Sequence, residues 1–364
     1  MHITQHRAIA RQLHAAGLFE PRDAYGYATF LAEFVLFGAG LVALAFASPW
    51  SWLFWLAQFH LGWSMFRCFV IVHECGHRTL FRSPRTCAVV GTLASMCCLV
   101  PYVPWSRIHR QHHKWVGITD KDPTQELLLH MRNYSALTNA LYRVVWRLWI
   151  PVMYFVFIVR VFWGYPFAVW HKGERRQAIE SLGSVLLCLA PRALIVSVLG
   201  WQASAVWMLP MVVVFLFVDE NVSLPQHTGL FPFVSSERPN PIPFHAQDAI
   251  TRTTHEPGMW AVVLSYNFTL HTEHHLFPGV PWYWLPVVHT KIRGAEHYRH
   301  VKFWQYMMQI RRQDPRDVYA RKLPPHPQPT LEVQHVQADL AARDERDERD
   351  ESPRSGPAIG VQLS

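Results

Sequence analysis

The chain has 364 residues, of which 50% are hydrophobic and only 16% are charged, and its net charge is +8. A soluble domain carries about 25% charged residues, so this composition excludes an ordinary soluble protein and predicts an all-α integral membrane protein. Lys and Arg cluster beside apolar segments, as the positive-inside bias of cytoplasmic loops produces, and the basic charge therefore predicts no nucleic-acid partner.

Cysteine usage and the N-terminal residues exclude two further classes. The six cysteines lie in or next to apolar stretches without C-x-x-C spacing, so neither a disulfide framework nor a thiolate metal site is expected. The first 20 residues contain no short apolar core followed by a cleavage site, so we expect no cleaved signal peptide. Residues 1–26 are predicted to form a cytoplasmic N-terminal segment.

Two apolar runs at 28–47 and 52–72 predict a transmembrane hairpin, because the turn Ser48-Pro49-Trp50 between them is short and uncharged. The following apolar stretch, Cys87 to Val103, is too short for a second hairpin and is interpreted as a membrane-surface or re-entrant segment. Val144 to Trp163 is apolar but contains Arg147 and Arg160, which are costly at bilayer depth. We therefore expect it to lie at the interface.

A second hairpin is predicted at 179–199 and 203–218, with the uncharged turn Gly200-Trp201-Gln202. This gives four transmembrane helices in a membrane domain at 27–313, with interfacial helices and a helical cap on the cytoplasmic side. Both termini and the Arg-rich loops are then cytoplasmic. Residues 314–364 turn Pro-rich and then mixed in charge without an apolar face, so we expect a disordered charged tail.

Three histidine clusters each lie beside an apolar segment. Within each, the spacing is i and i+4, or i, i+3 and i+4, which brings the side chains to one face of a helix. Histidine is the commonest metal ligand, and burying so many unpaired imidazoles would be costly. The clusters therefore predict a metal centre, and they are His73 and His77; His109, His112 and His113; and His271, His274 and His275.

The motifs around these histidines identify a family. His73-Glu74-Cys75-Gly76-His77, Ile108 to Lys114, and Asn267 to His275 with the tail Leu-Phe-Pro-Gly-Val-Pro-Trp resemble the membrane fatty acid desaturase superfamily, over about 32–299. The third motif looks most like bacterial acyl-lipid and sphingolipid-type members, which implies the bacterial cytoplasmic membrane. The resemblance implies a non-haem di-iron centre bound by the eight clustered histidines and one more.

The additional histidine of the family matches His227 in Pro225-Gln226-His227-Thr228-Gly229. His245 and His255 are rival candidates, although we expect both in surface loops. Some members of the family hold a metal-bound water through an Asn four residues before this histidine, where this chain has Ser223. Carboxylates and amides available to orient the imidazoles or replace that Asn are Asp122, Asp219, Glu220, Asn221, Asn267 and Glu273, the last of which lies off the ligand face of its helix.

The resemblance implies an O2-dependent fatty acyl desaturase that introduces a C=C bond into an acyl lipid held in an apolar tunnel. Neither a His-Pro-Gly-Gly haem signature nor C-x-x-C pairs accompany the motifs, so electrons are expected from a separate donor of ferredoxin or cytochrome b5 type. A hydroxylase or ketolase would use the same centre and remains an alternative. A His-rich metal transporter is a remote alternative, because it would need ionisable residues in the middle of the spans.

Overall fold

A computed structural model describes residues 1–125, 134–295, 298–315, 318 and 331–351. Within these ranges the regular elements are helices without β-strands, which confirms the predicted all-α class. The α-helices are α1 (Ile3–Ala15), α2 (Asp23–Phe46), α3 (Trp52–His77), α4 (Pro84–Cys97), α5 (Tyr102–Trp115), α6 (Ala136–Arg147), α7 (Val152–Phe157), α8 (Tyr165–His171), α9 (Arg175–His227), α10 (Met259–Ser265), α11 (His271–Leu276), α12 (Leu285–Ile292), α13 (Phe303–Arg311) and α14 (Leu331–Glu351).

The first predicted hairpin corresponds to α2 and α3, which pack along each other. Ser51 begins α3, since its side-chain oxygen accepts a hydrogen bond from the backbone N–H of Phe54 at 3.2 Å. The helices approach closely at Gly40, where an added Cβ would lie 2.7 Å from the His60 ring. Helix α3 continues past its predicted end at residue 72 to His77, so it carries the first histidine pair on its last turns.

Two of the described helices, α2 and α9, are each long and apolar enough to cross a membrane. The number rises to four if each of two bent pairs forms one span. Helices α4 and α5 meet at 106°, and α6 meets the segment Val152–Trp163 at 117°; bends of this size are found in broken spans and re-entrant loops. The second pair consists of α6, α7 and a π-helix at Ile158–Trp163.

Helix α9 is interrupted at the predicted turn. Gly200 has φ 76° and ψ 162°, which is a non-helical conformation that glycine adopts without steric cost. An unbroken helix of 53 residues would be about 80 Å long, far more than a hydrocarbon core of about 30 Å. The interruption divides α9 into a first arm, 175–199, and a second arm, 201–227.

The second arm of α9 packs against α3 through an inserted amide. Gln58 donates a hydrogen bond to the Trp207 carbonyl at 3.0 Å and accepts one from the Met211 N–H at 2.9 Å. These two backbone groups would normally bond each other, and Pro210 lies between them. The Gln58 side chain therefore satisfies a gap in the helix while joining it to α3.

The first arm contains a charge for which the sequence prediction did not account. Arg192 lies inside the predicted span 179–199, and its guanidinium donates to the carbonyls of Met96 and Cys97 at the C-terminal end of α4. A helix C-terminus carries partial negative charge and unpaired carbonyls, both of which suit a cation. The arginine is thus satisfied within the protein.

The structure also differs from the predicted disordered tail at 314–364, because α14 lies within it. Val336 and Leu340 are one helical turn apart and are almost fully buried, and Arg343 shares their face. The prediction considered the charged repeat from Arg343 onwards, whereas the apolar positions that dock the helix precede it. Residues 316–317, 319–330 and 352–364 of the predicted tail lie outside the described residues.

Candidate metal centre

Helices α3, α5, α9 and α11 bring the sequence-predicted histidines together. Eight of them form two groups, and within each group one ring nitrogen from every imidazole lies within 4.8 Å of the others. The first group is His73, His77, His109 and His274, and the second is His112, His227, His271 and His275. The ninth, His113, adjoins the first group, since its Nε2 lies 3.0 Å from the Nε2 of both His109 and His274.

Two of the three sequence motifs are divided between the groups. In α5, His109 belongs to the first group and His112 to the second. In α11, His274 belongs to the first group, whereas His271 and His275 belong to the second. Each helix presents its histidines on one face, as the i, i+3 and i+4 spacing predicts, but this face spans both groups. The two groups are therefore parts of one centre.

The imidazole nitrogens converge closely at the centre. In the second group, the Nε2 of His271 lies 2.7 Å from that of His227, which is 3.2 Å from the Nε2 of His275. Burial lowers the pKa of His271, His274 and His275 well below the usual value, and the neighbouring histidines lower it further. Neutral imidazoles offer lone pairs, so this donor set fits metal cations such as iron.

Partners on the outer nitrogens fix which ring nitrogen faces the centre. The Nδ1 of His112 is 2.7 Å from Asp122 Oδ2, and the Nδ1 of His275 is 2.8 Å from Gln247 Oε1. The Nδ1 of His227 is 3.0 Å from a backbone carbonyl, that of Ile250. Each acceptor requires the proton on Nδ1, which leaves the Nε2 lone pair for a metal.

Of these partners, sequence reasoning had named only Asp122. It missed Gln247 and the Ile250 carbonyl, which lie in and directly after the 3-10 helix Phe244–Ala249, far from the histidine motifs in the sequence. It also missed Glu74, whose Oε1 is 3.2 Å from the Nδ1 of His73 and whose Oε2 accepts from Thr79 and the Trp282 N–H. The sequence did indicate Glu74, because it lies inside the first histidine motif.

Glu273 is fully buried but faces away from both groups, as its helical position predicts. It accepts hydrogen bonds from Tyr298 at 2.7 Å and Thr253 at 2.6 Å, and it pairs with the Nδ1 of His289 at 2.7 Å. The hydrogen bond to Glu273 raises the pKa of His289 against the effect of burial. Glu273 therefore joins α11 to α12.

The other named carboxylates have partners outside the histidine groups. Glu220 lies 3.3 Å from Arg311, which also donates to the Asn221 side chain at 3.1 Å. Asp219 accepts a hydrogen bond from Ser223 at 3.1 Å. The Arg311 contacts fasten α13 to the second arm of α9, the Asp219 contact lies within α9, and none of them orients a histidine directly.

The residues considered as substitutes for the family's asparagine or additional histidine lie elsewhere. Asn221 also donates to the Phe217 carbonyl, and Asn267 donates to the Trp282 carbonyl. His245 and His255 belong to neither histidine group. His245 is buried in the 3-10 helix Phe244–Ala249, so its expected surface position is wrong.

A cavity of about 210 Å³ opens at the histidines. His73, His109, His112, His227 and His271 line one part of it, and most of the remaining wall is apolar. That apolar wall includes Phe69, Trp105, Met153, Phe157, Phe162, Leu224, Phe231 and Phe268. An apolar cavity ending at metal-binding groups suits a hydrocarbon substrate.

The sequence profile described as fatty acid desaturase matches residues 49–306. The chain belongs to the fatty acid desaturase family. It is 26% identical over 313 residues to the sn-1 oleoyl-lipid 12-desaturase of Arthrospira platensis, covering 81% of this chain and 84% of that protein. It is also 26% identical to the Picosynechococcus protein of the same name, over 75% and 79%. The spinach chloroplastic omega-6 fatty acid desaturase is 26% identical over 73% of this chain and 59% of the spinach protein.

These relationships confirm the predicted resemblance. They make the chain a membrane oxidoreductase of lipid metabolism, and members of this desaturase family generally use non-haem di-iron centres. The two histidine groups fit that chemistry, with one four-imidazole set available for each metal.

Proposed function

We propose that this desaturase introduces a C=C bond into the acyl chain of a membrane lipid, using O2 and two non-haem irons. The observation that carries the proposal is the pair of four-imidazole groups beside one apolar cavity. The first iron is assigned to His73, His77, His109 and His274, with His113 beside them. The second is assigned to His112, His227, His271 and His275. Bound iron would supply O2 activation and removal of hydrogen from an unactivated C–H pair.

The protein's own residues bind the acyl chain, orient the histidine rings and exclude water. The aromatic wall of the cavity, including Phe69, Phe157 and Phe268, holds the hydrocarbon beside the histidines and keeps bulk water away. Asp122 and Gln247 hold the rings of His112 and His275. Fixed rings keep the two metal positions constant relative to the acyl chain, and the selection of one C–H pair depends on that constancy.

Lipid analysis tests the proposed reaction. A desaturase-free host that expresses the chain should accumulate unsaturated acyl lipids that are absent from the empty host and from a host with the His274→Ala variant. A hydroxylated or keto product from the same cavity would instead establish the hydroxylase or ketolase alternative. Unchanged lipids in a host that supplies suitable electron donors would contradict the proposal.

Electron supply is proposed to come from a separate ferredoxin-type or cytochrome b5-type protein. The reaction consumes two electrons per O2 beyond those from the substrate. The six cysteines of the chain are free thiols without the spacing of an iron–sulfur motif, so they indicate no built-in iron–sulfur donor. Purified protein with substrate and O2 should stay inactive until a donor system is added. Repeated turnovers without a donor would show that electrons enter in another way.

The proposed topology has four spans, α2, α3 and the two arms of α9, inside a membrane domain at 27–313. The ends of α3 and α9 that carry His73, His77 and His227 must lie on one side, which we assign to the cytoplasm with both termini. The bent pairs would then enter or line the cytoplasmic interface without crossing. Cysteine labelling from outside should modify a Cys placed at Ser48 or Gln202, and modification at Lys172 would refute four spans.

A further inference from the structure

We infer that the C-terminal helix α14 holds the second histidine group, the proposed site of the second iron, in place. It acts through the segment 242–250. The inference rests on the proposed di-iron site and concerns residues remote from the histidine motifs. Helix α14 contacts the 3-10 helix Phe244–Ala249, which in turn contacts α11. The segment 242–250 is therefore in contact with the helix that supplies three histidines on one side and with α14 on another.

The contact between α14 and this segment has an apolar centre. Val336 and Leu340 pack in one buried cluster with Ile242, Ala249 and Ile250. Val336 is 1% exposed and Leu340 is 0% exposed. The burial of these two aliphatic side chains removes apolar surface from water and so favours the docked position of α14.

A buried ion pair fixes the position of the docked helix. The Arg343 guanidinium donates to Asp248 Oδ1, and both residues are at least 97% buried. Asp339, one turn earlier in α14, forms an ion pair with the same guanidinium at 2.6 Å, and the Met1 amino nitrogen lies 2.6 Å from Asp248 Oδ2. Burial alone would raise the pKa of Asp248, but Arg343 and the amino group hold it below its usual value. Reversing the charge of Arg343 would leave a repulsive buried pair.

Gln247, the residue before Asp248, connects this docked arrangement to His275. The Gln247 amide nitrogen donates to the carbonyls of His113 at 2.9 Å and Ile242 at 3.1 Å. Because both donors point at carbonyls, the amide oxygen must face the Nδ1 of His275, 2.8 Å away. Movement of Asp248 would therefore displace the acceptor that orients the His275 ring.

The same segment orients a second member of that group. The Ile250 carbonyl lies 3.0 Å from the Nδ1 of His227, and Ile250 is itself part of the cluster under α14. His227 and His275 both belong to the second group, and the described contacts of segment 242–250 orient no imidazole of the first group. Loosening α14 should consequently weaken the second iron site and spare the first.

Iron analysis of full-length variants tests this inference. Arg343→Glu should lower the iron content of the purified protein about twofold, from about two per chain to about one, since ligand orientation governs metal affinity. Arg343→Lys should keep two, because it retains the cation. The matched control is Arg346→Glu, since Arg346 is exposed and, among the described residues, its guanidinium donates to a carbonyl of its own helix, that of Ala342.

A second variant separates the route through Gln247 from a general loss of stability. Gln247→Leu leaves the Arg343 pair in place and should also retain one iron, with thermal unfolding checked in parallel. Two irons in Arg343→Glu, or equal loss from both sites in a folded protein, would overturn the inference.

Hydrogen exchange keeps the test independent of the proposed function. In metal-free protein, Arg343→Glu should speed amide exchange about tenfold or more in 242–250 and 271–276, but not in 64–77. Unchanged exchange would refute the role of α14 even if the wild-type protein bound no iron. Lack of iron in the wild type would refute the di-iron assignment alone.

Discussion

Replacing Asp122 with asparagine should weaken iron binding, because an amide cannot satisfy both partners of the carboxylate. Asp122 Oδ2 pairs with the Nδ1 of His112 at 2.7 Å, while Oδ1 accepts from the N–H and the hydroxyl of Thr124 at 2.9 and 2.8 Å. If the amide oxygen faces His112, the NH2 group meets the donors of Thr124. If the amide is reversed, it donates to Nδ1 and places the imidazole proton on Nε2, which then has no lone pair for iron.

Either orientation leaves a buried group without its proper partner, and Asp122 is only 2% exposed. Such a loss costs about 1–3 kcal/mol, which corresponds to about 5- to 150-fold in affinity. Iron retention against a chelator series, measured on detergent-purified protein, gives the affinity of each variant. Asp120→Asn is the matched control, since Asp120 is exposed and accepts from Ser235. Equal iron retention by Asp122→Asn and Asp120→Asn would refute the reasoning.

Three further outcomes are expected. His274→Ala should lose bound iron and activity, whereas His335→Ala, on the exposed face of α14, should keep both; iron analysis and turnover decide. Gly62→Ala should lower the melting temperature, because its Cβ would lie 2.6 Å from a backbone oxygen of α9, and such overpacking costs about 1–3 kcal/mol. The control Gly183→Ala places its Cβ in open space and should leave the melting temperature unchanged. The raised pKa of His289 stabilises the fold at low pH, and this contribution is lost as pH rises through the raised pKa. His289→Gln should therefore lose more stability relative to wild type near pH 6 than near pH 9, and the same loss at both would refute the role of charge.

Local spacing predicted the parts of the structure that depend on local geometry. The i, i+3 and i+4 spacing placed His271, His274 and His275 on one helical face, and α11 is a helix of six residues that presents them so. The turn predicted at Gly200 coincides with the break in α9 for a similar reason, since the backbone conformation that glycine permits is a local property. Identification of the family followed from these motifs.

Contacts between distant parts of the chain were not predictable in this way. Gln247 approaches His275 across 28 residues, from a short 3-10 helix. The docking of α14 depends on Val336 and Leu340 meeting Ile242 and Ile250, and two apolar residues in a charged sequence give little indication of a partner. Tertiary packing decides both, and a single sequence contains no direct record of it.

The division of the histidines along the chain sets the order in which the protein matures. Each four-imidazole group contains a member from α11, namely His274 in the first group and His271 and His275 in the second. At about 5–20 residues per second, the ribosome makes α11 about 10–40 s after His73. During that interval neither ligand set is complete, although α2 and α3 have already been synthesised. Under the proposed di-iron assignment, neither iron site can therefore be complete until nearly the whole membrane domain has been synthesised.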